Sequence, residues 1–351
     1  RSRISSDVFK RIMEPGNIHL KMLDSLDLEV FMSVEFRSSD LVGVHVALIT
    51  PLLSDCKRNL RNSIDFKKAE KMIEDLIAQG VDGIVPTATT GQSPTVTPKQ
   101  HLEFIKFVLD QVAGRVKVIA GAGSNCTRET IDMIGEIQKI SQGTPCLCVT
   151  GYYNNPPQEG IQAHYEAIVE ETGAPVIMYN VPGRTASYIE PETIIALAHN
   201  PKILGLKQSV NFADPGKFRD DTVRIARETA NLDFTLVSGE DGWFLDILEL
   251  GGKGIVSASA NIPEAAKLFL EVHRRHFAGD SLAARQAQTA LAPFISWVFA
   301  RKSPIPLATM FNTPVFLPLV DFAATAGGQK LVAEMEAWAS KAAPSLQQWK
   351  V

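Results

Sequence analysis

A chain of 351 residues with 45% hydrophobic and 21% charged side chains can bury a sizeable core, as one large domain with an appendage or as two ordinary ones, and disorder is excluded for most of it. Its 35 Lys and Arg against 39 Asp and Glu leave a net charge of −4, which offers no basic footprint for nucleic acid and points to a small-molecule partner. No apolar run approaches the ~18 residues needed to span a bilayer, and no charged segment leads into an apolar one as a secretion signal does, so a soluble, cytoplasmic protein is expected.

Residues 1 to about 42 carry no clean period and read as an N-terminal extension. Arg1, Ser2, Arg3, Ser5, Ser6 and Arg11 give it a faint likeness to an organellar transit segment, which would mean a plastid, while Asp7, Glu14 and Asp24 argue against one. From about residue 43 the pattern becomes regular. Short apolar runs at Val44–Ile49, Gly83–Thr87, Val116–Ala120, Cys146–Thr150, Pro175–Tyr179, Ile203–Lys207, Thr235–Ser238 and Gly254–Ser257 alternate with stretches of helical period. One such stretch is Asp65–Ala78, where Phe66, Ala69, Met72, Ile73 and Leu76 fall on one stripe. Most of the strands lack alternation, as parallel strands buried on both faces should. Eight strand–helix units between residues 43 and 278 predict an α/β fold, a (β/α)₈ TIM barrel, since a doubly wound sheet usually stops at fewer strands. After about 278 only helical pattern continues, at Ser281–Ala300, Pro304–Met310 and Gly328–Ser340, and residues 279–351 read as a small C-terminal helical domain. The four cysteines, Cys56, Cys126, Cys146 and Cys148, lack C-x-x-C spacing and read as buried, reduced thiols, with Cys146 and Cys148 on one strand face.

Catalytic groups of such barrels sit at the C-terminal ends of the strands. There the chain reads T-T-G-Q-S (Thr89 to Ser93), G-Y-Y-N-N-P (Gly151 to Pro156), Y-N-V-P-G-R-T (Tyr179 to Thr185), G-L-K-Q-S (Gly205 to Ser209) and S-G-E-D (Ser238 to Asp241). Lys207 closes an apolar run, which aims its amine at the barrel mouth, where desolvation favours the neutral, nucleophilic form. The competing reading is a lysine that snorkels to water from a strand terminus. Tyr179 supplies a phenol for proton transfer and Arg184 a planar fork for a carboxylate, against a core tyrosine and a surface arginine. Thr89 and Thr90 precede Gly91, where backbone N–H groups can face an anion, or where the chain merely turns.

These motifs, with G-G-K-G-I-V-S (Gly251 to Ser257), resemble the dihydrodipicolinate synthase and N-acetylneuraminate lyase superfamily, from about Gly43 to the C-terminus. The arginine of Y-N-V-P-G-R-T is typical of its synthase branch. The resemblance implies that Lys207 forms an imine with pyruvate and that Tyr179, Thr89 and Tyr153 form a proton relay, Tyr153 coming from a neighbouring subunit. It implies that Thr90 holds the pyruvate carboxylate, that Val256 and Gly239 line the pocket, and that Arg184 pairs with the carboxylate of aspartate semialdehyde. No cofactor or metal is expected, because the iminium nitrogen itself stabilises the enamine. A homo-oligomer, dimer or tetramer, follows from the borrowed tyrosine. Feedback binding of lysine at Ser93, His101, Asn125, Glu129 and Tyr152 is implied as well. Two departures bear on these roles. Gln92 replaces the family's usual Glu after the threonine pair, and Pro94 and Pro98 stiffen the segment that would bind lysine. Three rivals stand beside the synthase: a pyruvate-dependent aldolase for 2-keto-3-deoxy sugar acids, a phosphate-binding barrel using Gly239 with Gly251 to Gly254, and a barrel that only binds an amino acid.

Overall fold

Eight short apolar strands close into a barrel in the computed structural model, which describes residues 36–53, 63–211, 216–316, 318–320, 325 and 327–349. The strands are β1 Gly43–Ala47, β2 Gly83–Val85, β3 with its two segments Lys117–Val118 and Ala120–Gly121, β4 Cys146–Val149, β5 Val176–Asn180, β6 Ile203–Gln208, β7 Thr235–Ser238 and β8 Gly254–Ser257. Every neighbouring pair is parallel, and β1 lies between β2 and β8. Closure happens at β3, whose backbone donates alternately to its two sides. Ile119 and Gly121 bond Ile84 and Pro86 at 3.0 and 3.1 Å, while Ala120 and Ala122 bond Pro145 and Leu147 at 2.9 and 3.1 Å. With both faces of β3 paired, the sheet has no edge.

After the strands come α1 Phe66–Gln79, α2 Pro98–Val112, α3 Thr127–Ile140, α4 Gln158–Thr172, α5 Pro191–Ala198, α6 Lys217–Glu228, α7 Phe244–Glu249 and α8 Pro263–Phe277, completing eight β/α units as the sequence predicts. Local chemistry sets their ends. Asp65 caps α1 by accepting from Lys68 N at 2.9 Å, and α1 stops at Gly80 with φ +83°. Thr97 and Gln100 form a reciprocal capping box on α2, and Pro98 occupies the first turn, where a missing N–H costs nothing. The stripe read on α1 buries Ala69, Met72, Ile73 and Leu76, but Phe66 is half-exposed at the helix start and packs its ring against Phe107 at 5.0 Å.

Two apolar layers explain the unalternating strands. Inside the barrel every strand contributes to one cluster, which contains Ala47, Val85, Ile119, Leu147, Ile177, Tyr179, Leu204, Val237 and Val256. Phe36, just before the single turn Ser38–Leu41, and Leu41, at its end, join that cluster, and the turn is tied to the barrel by the Ser38 hydroxyl donating to Asp233. Outside, the alternate strand residues pack against the helices in two further clusters. Cys146 and Cys148 lie together in this outer layer, where burial pushes the Cys146 thiol up to about 12 and also raises Cys148 well above the ordinary thiol value. Cys126 departs from the expectation: it is exposed at the start of α3, because an N-cap position faces solvent. Cys56 and residues 1–35 lie outside the described residues.

The C-terminal run forms α9 Ser281–Ala290, α10 Ala292–Val298, α11 Ile305–Met310 and α12 Gly328–Ala342. The single helix read over residues 281–300 is two. Pro293 has no N–H to continue the ladder, so the chain breaks at Leu291. Leu291, Phe294, Val298, Met335 and Ala339 share one cluster with Phe269 and Val272 of α8, so these helices and the barrel's own helices share one core, and residues 36–351 form one compact unit.

Candidate active site

The orientation of Lys207 depends on a bulge. In β5 and β6, Val176 pairs with Ile203 but Ile177 pairs with Gly205, so Leu204 and Gly205 together oppose one residue. Ile203 and Leu206 face the helices while Leu204 faces the interior. The extra residue inverts the alternation, and Lys207 faces inward beside Tyr179, its cross-strand partner. The bulge carries a glycine for a steric reason: a Cβ at Gly205 would sit 2.4 Å from Thr235 O and 2.6 Å from Leu41 Cδ1. Lys207 is only 5% exposed, and its Nζ lies 4.2 Å from the centroid of the Tyr179 ring. A lysine reaching for bulk water would not be so covered.

Arg184 sits on a loop built by the rest of its motif. Asn180 donates from Nδ2 to Ile189 O (3.2 Å) and to Gln208 Oε1 (3.0 Å), and its Oδ1 accepts from Ile189 N (3.1 Å). Thr185 donates to Ser187 O at 2.7 Å, and Pro182 opens the single helical turn Pro182–Thr185. Both ends of the loop are thereby pinned to the barrel, and Arg184 is exposed at the rim, where Nη2 approaches Ser303 O at 3.5 Å. The asparagine and threonine of Y-N-V-P-G-R-T thus brace the loop.

These side chains line one cavity of about 660 Å³ at the C-terminal end of the barrel. Its walls include Lys207, Tyr179, Thr89, Thr90, Arg184, Val256 and Gly239, every active-site residue read from the sequence except Tyr153. Tyr153 is 95% exposed, with φ +74°, on a loop braced by Asn125 Nδ2 donating to Tyr152 O (3.0 Å) and Asn154 Nδ2 donating to Asn125 O (2.9 Å). Gly91 has a packing role: a Cβ there would lie 3.0 Å from Leu48 O and Thr87 N, so the glycine lets the loop sit tightly against the end of β1. Gln92 lines neither this cavity nor its neighbour. It is buried, and its Oε1 accepts from Phe316 N at 3.0 Å, fastening the C-terminal segment. That bond needs an acceptor oxygen, not a charge.

A second cavity, of about 720 Å³, shares Thr89, Tyr179 and Arg184 with the first and holds Ser93, His101, Glu129 and Tyr152. Asn125, the fifth residue read as lysine-binding, does not line it. His101 faces Gly121 O at 2.6 Å, and burial holds its imidazole below the ordinary value. The phosphate-binding rival fails on geometry. Gly251 to Lys253 precede β8, whose first residue pairs with the first residue of β1, whereas Gly239 follows β7. The two glycine segments are therefore at opposite ends of the barrel.

Sequence reading missed Ser209, Glu240, Trp243, Phe299, Arg301, Lys302 and Ser303, which also line the first cavity. Ser209 and Glu240 were within reach, since both stand in quoted strand-end motifs. Ser209 donates to Glu240 Oε1 at 2.7 Å, and burial raises the Glu240 carboxyl above its ordinary range against the opposing fields of Lys207 and Arg184. Asp241, fully buried and accepting from Ser259 N at 2.8 Å, is raised for the same reason. Residues 299–303 carry no motif signal, and only the packing of the C-terminal helices brings them to the rim.

Residues 40–314 match the dihydrodipicolinate synthetase family. The chain belongs to that family. A 4-hydroxy-tetrahydrodipicolinate synthase of Listeria innocua is 36% identical over 303 residues, which is 85% of this chain and 98% of that one. Among solved structures, dihydrodipicolinate synthase from Aquifex aeolicus superposes with a TM-score of 0.76 at 29% identity, covering 86% of this chain and 99% of that one. DHDPS from Cyanidioschyzon merolae with lysine bound superposes with a TM-score of 0.74 at 32% identity, over 86% and 99%. The dihydrodipicolinate synthetase match begins at residue 40, close to where the barrel's first strand starts. Among the described residues no helix is long and apolar enough to cross a membrane, and no group of His, Cys, Asp and Glu could hold a metal ion.

Proposed function

We propose that the protein catalyses the 4-hydroxy-tetrahydrodipicolinate synthase reaction, condensing pyruvate with aspartate semialdehyde through an imine on Lys207, in the diaminopimelate route to lysine. The observation that carries this reading is a lysine 5% exposed, 4.2 Å above the Tyr179 ring, in a cavity that also presents Thr89, Thr90 and Arg184. The amine adds to the keto carbon of pyruvate, and loss of water from the carbinolamine needs a positioned acid, for which the Tyr179 phenol and Thr89 hydroxyl are at hand. The iminium nitrogen draws charge from the methyl carbon, and the resulting enamine attacks the aldehyde. Thr90 holds the pyruvate carboxylate, and Arg184 receives the carboxylate of aspartate semialdehyde.

The exposed, left-handed Tyr153 fits a residue that completes the relay of a second copy, which makes the working enzyme a homo-oligomer. Lysine feedback is the matching proposal for the second cavity, supported by the Cyanidioschyzon merolae relative with lysine bound. Pro94 and Pro98 both line that cavity and offer it no backbone N–H. The enzyme is placed in the cytoplasm, or in a plastid if the N-terminal residues carry a transit segment.

Borohydride reduction in the presence of pyruvate tests the reading. One reduced pyruvyl group on Lys207 is expected, and no gain in mass would sink the Schiff-base mechanism. A coupled assay of the same protein with aspartate semialdehyde against 2-keto-3-deoxy sugar acids then separates the synthase from the aldolase.

A further inference from the structure

The first cavity is lopsided in charge. Arg184, Lys207, Arg301 and Lys302 line it, and among the described residues Glu240 is the one carboxylate that does. Its backbone runs against the reacting lysine, since a Cβ on the preceding residue, Gly239, would lie 2.8 Å from Lys207 Cε and 2.9 Å from Ser209 Cβ. Ser209 holds Glu240 Oε1 at 2.7 Å, which orients the carboxylate and leaves Oε2 without a partner among the described residues. An acid so placed is not needed to bind pyruvate, which carries no positive charge. It is suited to a substrate that bears an ammonium and a carboxylate on one carbon.

We propose that Glu240 receives the ammonium of aspartate semialdehyde and accepts the proton whose loss allows the ring to close. This rests on the Schiff-base reading above. Once the enamine has added to the aldehyde, the adduct is held on Lys207 as an iminium and carries the ammonium of the second substrate. Transfer of one proton from that ammonium to Glu240 frees a nitrogen lone pair, which forms a bond to the iminium carbon while the C=N π pair moves to the lysine nitrogen. A second proton passes from the ring nitrogen to the lysine nitrogen. The bond from carbon to Lys207 then breaks, leaving a neutral amine and a cyclic iminium that loses its proton to water, and Glu240 returns the proton it took to solvent. No oxidant or metal enters the balance. Burial raises the carboxyl's affinity for a proton, in the direction a base for an ammonium requires.

Glu240→Gln keeps an oxygen for Ser209 and removes the charge, so it separates this role from bracing of the loop. Succinic semialdehyde, which is aspartate semialdehyde without its amine, can add to the enamine but cannot close the ring. Three readouts are taken on the full chain: borohydride trapping with pyruvate alone, trapping with pyruvate and succinic semialdehyde, and turnover with aspartate semialdehyde. In the variant both trapping reactions should match the unsubstituted protein, while kcat/KM for aspartate semialdehyde falls about 100-fold or more. Glu240→Asp, which keeps the carboxylate, should recover most of that loss. Turnover within a few-fold of the unsubstituted protein, or an equal loss of succinic semialdehyde addition, would overturn the proposal alone. Absence of the pyruvyl adduct in the unsubstituted protein would overturn the Schiff-base reading and the proposal with it.

Discussion

Gly239→Ala tests how tightly the cavity holds its lysine. The backbone at Gly239 needs no left-handed φ, so the whole effect of the added methyl comes from contact. The new Cβ would lie 2.8 Å from Lys207 Cε and 2.9 Å from Ser209 Cβ, whereas carbon atoms prefer about 3.5–4 Å, so the lysine end must retreat by roughly 1 Å. Overpacking of this kind costs about 1–3 kcal/mol, less than the ~5–15 kcal/mol that holds a domain folded, so the variant should remain folded with a lowered melting midpoint. Misplacing a reacting group by ~1 Å can cost about 100-fold in rate. Rapid-quench borohydride trapping with saturating pyruvate should therefore show imine formation slowed about 100-fold in a protein that still melts cooperatively. Trapping at the unsubstituted rate would mean that Lys207 tolerates displacement, and the argument that Gly239 positions it would be wrong.

Arg184→Ala should lower kcat/KM for aspartate semialdehyde far more than it slows pyruvate trapping, and equal losses in the two assays would refute the division of roles. Leu41→Ala removes a side chain of 0% exposure that touches the β6 bulge, and should cost about 2–5 kcal/mol in urea unfolding; a change under about 1 kcal/mol would show that the barrel base packs without it. Burial holds the imidazoles of His45, His101 and His164 below their ordinary value, so on acidification the unfolded chain takes up protons before the folded one. Stability present above the unfolded value near pH 6.5 should be lost as the pH falls below it, by at most about 1.4 kcal/mol per pH unit for each histidine. Glu240 and Asp241, raised by burial, act in the opposite sense, so the histidine share is read by comparison: His164→Gln should show a smaller fall in urea midpoint between about pH 7.5 and 5.5. An unchanged fall would exclude His164 as a contributor.

Much of this protein is written locally. Apolar runs without alternation require strands covered on both faces, eight of them with intervening helices close a barrel, and Lys207, Tyr179, Thr89, Thr90 and Arg184 stand at strand ends, where such a barrel has its mouth. These features were legible because they depend on period and on position along one strand. Other features depend on partners far away in the chain. The register slip at Val176 and Gly205 that turns Lys207 inward is a property of two paired strands, and alternation counted along β6 alone gives the wrong face. The contact of Gly239 with the lysine, the bond from Ser209 to Glu240 and the arrival of residues 299–303 at the rim all join segments that the sequence leaves apart. Tyr153 marks the boundary between the two kinds of knowledge: its motif names the residue, but only the folded chain shows that it is turned out to solvent, 95% exposed and with φ +74°.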